Sequence, residues 1–129
     1  MSALVIDTSS WINYFGTGRR ADVIEDALNE GRVYLPPIVA AEMTSAVLRR
    51  RELLELQSFM LDLPLCHTPL EHWFRVGALR TKLLRVGETI STPDAHVAQC
   101  AIDLAGELLS EDRVFARIAG GVRLRLLLI

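Results

Sequence analysis

The chain has little cysteine, a single lysine (Lys82) and no long hydrophobic run among its 129 residues. Each shortage excludes something. Cys66 and Cys100 stand in apolar surroundings without metal-ligand spacing. A disulfide scaffold is therefore not expected, and two reduced, buried cysteines in a cytoplasmic protein are. No apolar stretch approaches the roughly 20 residues that cross a bilayer; the longest, LRLLLI at the C-terminus, is strand-sized. The N-terminus has no positive region followed by an apolar core, so no signal peptide is expected. A basic excess is missing too. The net charge of −2 does not advertise nucleic-acid binding, although an acidic metal site can offset a basic patch elsewhere. What remains is a chain half hydrophobic and 23% charged. That composition argues against disorder and for one compact α/β domain spanning 1–129.

Along the chain, short apolar runs alternate with helical patterns. ALVI (3–6), RVYLP (32–36), LPLCH (63–67), ELLS (107–110) and RLRLLLI (123–129) read as strands. Trp11, Tyr14 and Phe15 recur at i, i+3, i+4 on one face of a first helix, which Gly16 and Gly18 break. RADVIEDALNE forms a second helix stopped by Gly31. Pro36-Pro37 opens a helix through IVAAEMTSAVLRRR, and LLELQSFML forms the next. PLEHWFRVGALRTKLLRVG is a long amphipathic helix with Leu70, Trp73, Phe74, Gly77 and Leu84 as inward candidates. STPDAHVAQCAIDLA follows with Thr92 as N-cap and Pro93 at the first helical position. EDRVFARIAGG is a short helix before the last strand. There is no internal repeat or low-complexity segment. The alternation predicts a three-layer α/β sandwich, its parallel sheet of five strands flanked by helices.

In such sheets ligands bind beyond the carboxyl ends of the strands. Asp7 terminates the first strand where a further apolar residue could continue it, and Asp112 sits just past ELLS. Asp94 lies in the first turn of its helix, and Glu42 about one and a half turns into the helix begun at Pro37. All can point into one crevice. Taken singly, each has a structural role open to it: Asp7 and Asp112 as N-caps, Asp94 as a partner of the helix dipole, Glu42 as a solvent-facing side chain. Taken together they are like charges that repel unless cations neutralise them. Oxygen donors without His or Cys suit Mg²⁺ or Mn²⁺. Such ions activate water and polarise phosphate, which points to metal-dependent phosphodiester hydrolysis.

These motifs resemble, in order and across essentially the whole chain, those of the PIN-domain family, and within it the VapC-like ribonuclease toxins. LVIDTSSW resembles its opening strand, with Asp7 as an acid of the metal site and Thr8 or Ser9 as the adjacent hydroxyl. LPPIVAAEMTSAVLRR resembles the second motif, with Glu42, and TPDAHVAQCA the third, with Asp94. LLSEDRVFARIA resembles the fourth, with Ser110 two residues before Asp112. Many relatives carry a further acid where this chain has Val114. The resemblance implies a five-stranded parallel sheet and a Mg²⁺- or Mn²⁺-dependent endoribonuclease with Asp7, Glu42, Asp94 and Asp112 as metal-holding and catalytic residues. Thr8 and Ser110 would orient carboxylates or waters behind them. It also implies a homodimer and a small antitoxin that occludes the site.

Other features carry less. Arg49, Arg50 and Arg51 read as the solvated C-terminal end of the Glu42 helix, favourable to its dipole, with an RNA or antitoxin contact as the functional alternative. Arg80, Lys82 and Arg85 are equally ambiguous. His67, His72 and His96 show no ligand spacing; His96, about 200° around the helix from Asp94, reads as structural. Among rival functions, an aspartyl-phosphate hydrolase would carry a second Asp where Ser9 stands. A receiver domain would want an upstream acid pair and a late lysine. A catalytically weak PIN-like module that binds RNA or protein remains the non-enzymatic alternative. The RNA target is not legible.

Overall fold

The computed structural model describes residues 2–46 and 48–127. Strands β1 (Leu4–Ile6), β2 (Val33–Tyr34), β3 (Glu107–Leu109) and β4 (Arg125–Leu126) form one parallel sheet in the order β2-β1-β3-β4. Val5 stands opposite Tyr34 on one side and Leu108 on the other. Successive strand residues point to opposite faces, so the burial of Leu4, Val5 and Ile6 alike means that both faces of β1 are covered. The flanking helices are α1 (Thr8–Thr17), α2 (Ala21–Asn29), α3 (Pro37–Thr44), α4 (Arg50–Leu61), α5 (Leu70–Arg85), α6 (Thr92–Asp103) and α7 (Arg113–Ala119). None of them is long and apolar enough to cross a membrane.

The sheet closes tightly between β1 and β3. The Glu107 amide donates to the Ala3 carbonyl at 2.9 Å, and a Cβ on Gly106 would come within 2.5 Å of that same oxygen. Only glycine lets the two backbones approach this closely. Trp11 is buried under Tyr14, Phe15 and Phe59, with ring centroids 5.5–5.9 Å away. Phe15 itself is largely exposed, so only part of the expected aromatic face is core. The first helix runs through Gly16 and stops at Gly18, whose φ of 72° is the left-handed conformation of a helix end.

Four details differ from the sequence expectation. The LPLCH segment contributes a single parallel bridge, Leu35 to Leu65, rather than a fifth strand. Leu35 donates to the Pro64 carbonyl and accepts from Cys66, but Pro36 beyond it and Pro64 within the partner have no N–H to continue a ladder. The helix after Pro37 ends at Thr44. There the Thr44 and Ser45 hydroxyls bond back to the Ala40 and Ala41 carbonyls at 2.7 and 2.6 Å, competing with the backbone. Consequently Arg49 is the N-cap of α4, and Arg50 and Arg51 occupy its first turn, the unfavourable end of the dipole for cations. Glu52, accepting from the Arg49 amide, and the Arg51–Glu55 pair offset them.

Along α5 the period is as expected and the phase is not. His72, Val76, Leu79 and Leu83 face inward with Trp73 half-buried, whereas Leu70, Phe74 and Leu84 are 64–65% exposed and Gly77 is exposed. Polar pairing of His72 with α6 sets which stripe turns in. Ser91, not Thr92, caps α6, its Oγ accepting from the Asp94 amide, and this places Pro93 second in the helix. The last strand was expected to reach Ile129; Leu128 and Ile129 lie outside the described residues.

Candidate active site

The acidic residues sit where the backbone turns from strand to helix at the sheet's carboxyl edge. Asp7 follows β1 in extended conformation and caps α1, accepting from the Ser10 amide at 2.9 Å. Its own amide donates to the Leu109 carbonyl, which ties the end of β1 to the end of β3. Asp112 follows β3 and caps α7, accepting from the Val114 amide at 3.0 Å. Both therefore do act as caps, each cap being worth about 1 kcal/mol. The capping role coexists with a second one. The Ser110 hydroxyl accepts from the Asp112 amide and donates to Asp7 Oδ2, linking the two acids through one oxygen. Ser9 Oγ also donates to Asp7 at 3.2 Å.

Glu42 reaches the group from α3, where Thr8 Oγ1 donates to its Oε1 at 2.7 Å. Asp94 projects from the first turn of α6. Burial lifts its carboxyl above the ordinary range; a hydrogen bond from Ser91 opposes the lift, while the negative charges of Asp112, Glu42 and Asp7 add to it. The fold thus brings Asp7, Glu42, Asp94 and Asp112 into mutual electrostatic range, with Thr8 and Ser110 bonded directly to two of them. Val114 is buried in α7, so the position that is acidic in many relatives here serves the core.

One feature next to these acids went unread in the sequence, and one on the opposite side of α6 was read differently. Arg19 and Arg20 both pair with Glu111, at 2.8 and 3.2 Å, and hold its carboxyl below the usual range, Arg19 contributing most. Arg20 lines a cleft of about 250 Å³ together with Ser110, Asp112 and Arg113. GTGRR (16–20) offered only a basic pair after glycines as a signal. On the far side of α6, His72, His96 and Cys100 bring ligand atoms within 4.8 Å of one another. That overturns the reading that they lack ligand spacing: His96 and Cys100 are i, i+4 on one helix face. Arg50 and Arg51 line a shallow groove of about 500 Å³ with Leu54, Glu55 and Ser58, in which none of the four acids takes part.

The PIN-domain family model matches residues 4–121. The chain belongs to the PIN-domain family. Among solved structures this PIN domain is similar to DNA-bound VapBC from Salmonella typhimurium, with a TM-score of 0.81 and 20% identity over 98% of each chain. It is also similar to VapBC2 from Rickettsia felis bound to a promoter fragment, with a TM-score of 0.76 and 20% identity over 97% of each chain. A toxin–antitoxin complex from Klebsiella pneumoniae gives a TM-score of 0.74 at 21% identity, covering 98% of this chain and 97% of that one. At these identities the likeness is one of fold. No curated protein matches the chain in sequence.

Proposed function

We propose that this PIN domain is a metal-dependent endoribonuclease and the toxin of a toxin–antitoxin pair. The observation that carries the reading is the gathering of Asp7, Glu42, Asp94 and Asp112 at one sheet edge, where burial first, and then the charges of Asp112, Glu42 and Asp7, raise the Asp94 carboxyl above its ordinary range. An all-oxygen donor set of this kind fits a hard divalent cation, Mg²⁺ or Mn²⁺. When bound, such an ion would polarise the scissile phosphate and supply hydroxide from water near neutral pH.

The chain's own residues would do the rest. Asp7, Asp94 and Asp112 would hold the ion, with Glu42 doing so directly or through water. Ser110 keeps Asp7 oriented through its hydroxyl, and Thr8 does the same for Glu42. Capping fixes the Asp7 and Asp112 backbones, so little rearrangement is needed when substrate arrives. The similar folds occur in toxin–antitoxin complexes, which favours a small antitoxin as partner; a homodimeric toxin acting in the cytoplasm is what the family resemblance implies. RNA is the substrate class the family implies.

Total bacterial RNA, incubated with purified protein and Mn²⁺, should give discrete fragments. A chelator and Asp94→Asn should each remove them. A folded, metal-binding protein that leaves all RNA intact would support the binding-module reading instead. Equal cleavage by Asp94→Asn would mean the site is misplaced.

A further inference from the structure

The face of α6 turned away from the acids carries a second polar cluster. His96, Gln99, Cys100 and Asp103 recur at i, i+3, i+4, i+7 and so share one face, which packs against α5. His72 Nε2 lies 2.8 Å from His96 Nδ1, and Cys100 Sγ lies 3.8 Å from His96 Nε2. His72 Nδ1 lies 2.7 Å from Asp103 Oδ2. His72, His96 and Cys100 are at most 1% exposed. Trp73 stacks on the His96 ring at 4.5 Å and fixes its plane.

The protons in this cluster can be assigned from its charged end. Asp103 is clamped by Arg75 through two contacts of 2.9 Å and also accepts from Gln99. Burial alone would raise its carboxyl, yet these partners with His72 hold it down to about 2. An ionised Asp103 accepts a hydrogen bond from His72 Nδ1–H, so His72 Nε2 presents a lone pair inward. That is the arrangement of a metal-ligating histidine, its outer nitrogen bonded to a carboxylate. His96 is neutral, its pKa lowered to about 4 by burial and then by His72.

We propose that His72, His96 and Cys100 form a buried site for a thiophilic divalent cation such as Zn²⁺, separate from the acidic site. A tetrahedral zinc ion separates its ligand atoms by roughly 3.3–3.8 Å. One ligand atom from each of the three residues lies within 4.8 Å of the others, so binding draws them together by about an ångström. Binding breaks the Cys100 S–H bond, forms one S–Zn bond and releases one proton to solvent; the nitrogens give lone pairs and nothing is oxidised. Because the ligands are buried, the ion enters as α5 closes on α6 during folding. Nitrogen and sulfur donors here select against the Mg²⁺ or Mn²⁺ of the acidic edge.

The test is metal content and cobalt spectroscopy of the full chain, refolded in Zn²⁺ or Co²⁺ and dialysed. One ion per chain, retained by wild type and by Asp94→Asn, with a thiolate-to-cobalt charge-transfer band, is expected. Cys100→Ala should lose both ion and band while keeping its circular dichroism. Wild type that retains no ion and shows no band overturns the site and leaves a purely hydrogen-bonded cluster. Unchanged retention in Cys100→Ala overturns it equally. Should Cys100→Ala fail to fold, the wild-type cobalt spectrum decides alone.

Discussion

Asp94 and His96 sit two residues apart on α6 and belong to opposite arrangements of polarity. Asp94 faces three other carboxylates, and its charge is made harder to form, by burial first and then by Asp112, Glu42 and Asp7. His96 meets His72, which bonds to Asp103, and Arg75 clamps Asp103, whose carboxyl is held down to about 2. One side of the helix stores unsatisfied charge that a ligand can relieve. The other has its carboxylate paired by Arg75 and His72 and holds α5 to α6. Polar groups of the first kind should be expendable for folding and essential for activity, and those of the second kind the reverse.

The largest effect expected is on cleavage. Asp7→Asn or Asp94→Asn should lower metal-dependent RNA cleavage by roughly a thousandfold, because several kcal/mol of transition-state stabilisation go with the ion. The urea midpoint should move little. A variant that loses activity only because it unfolds would erase the distinction between the two sides. Next, His72→Ala should cost about 3 kcal/mol of stability in urea titrations, since it empties a buried site and leaves His96 Nδ1 without its partner. Cleavage per folded molecule should persist. Third, Mg²⁺ or Mn²⁺ at a hundredfold excess over its Kd should stabilise wild type by about 2.7 kcal/mol. Thermal melts of Asp7→Asn should show much less of that gain, and an equal gain would place the ion elsewhere.

The two sides also differ in how legible they were. Asp7 and Asp112 announce themselves locally, each ending an apolar run just before a helix, and the structure places them there. Asp94 follows a Ser-Thr-Pro start, and only the choice of cap was off by one residue. The His72–His96 contact joins residues 24 apart and depends on the phase of α5. That helix carries two plausible apolar stripes, and periodicity alone cannot choose between them. The expected stripe put Phe74 and Leu84 inside; packing put Val76 and Leu83 there. The missing strand had a visible cause in Pro36 and Pro64, whose lack of donors outweighs the apolar character of LPLCH. The break after Thr44 needed hydroxyl-to-carbonyl bonds that no spacing reveals.

A smaller prediction concerns acid. Asp103 has a folded pKa near 2 against an ordinary value near 4, so it is depressed. Its contribution is fully present above about pH 4 and is lost as pH falls through about 2. The carboxyl is partly exposed, and solvent screening reduces the expected contribution to about 1 kcal/mol. Urea midpoints measured from about pH 5 to pH 2 should fall in wild type and fall less in Arg75→Ala, which removes the clamp. Parallel curves would mean that acid sensitivity arises elsewhere, the acidic edge included.

The smallest effect belongs to Arg51, and it tests whether proximity alone makes an ion pair matter. Arg51 pairs with Glu55 at 3.0 Å, much as Arg75 pairs with Asp103 at 2.9 Å. Yet the Arg51 and Glu55 side chains are 90% and 67% exposed, while that of Asp103 is 20% exposed and shared with His72 and Gln99. Arg51 also opposes the dipole in the first turn of α4, so its removal relieves one interaction as it breaks another. Arg51→Ala should therefore change stability by less than about 0.5 kcal/mol. Arg75→Ala, at nearly the same distance, should shift the urea midpoint clearly downward. Equal shifts would show that the partners behind Asp103 add nothing, and the contrast between the two sides of α6 would rest on the carboxylates alone.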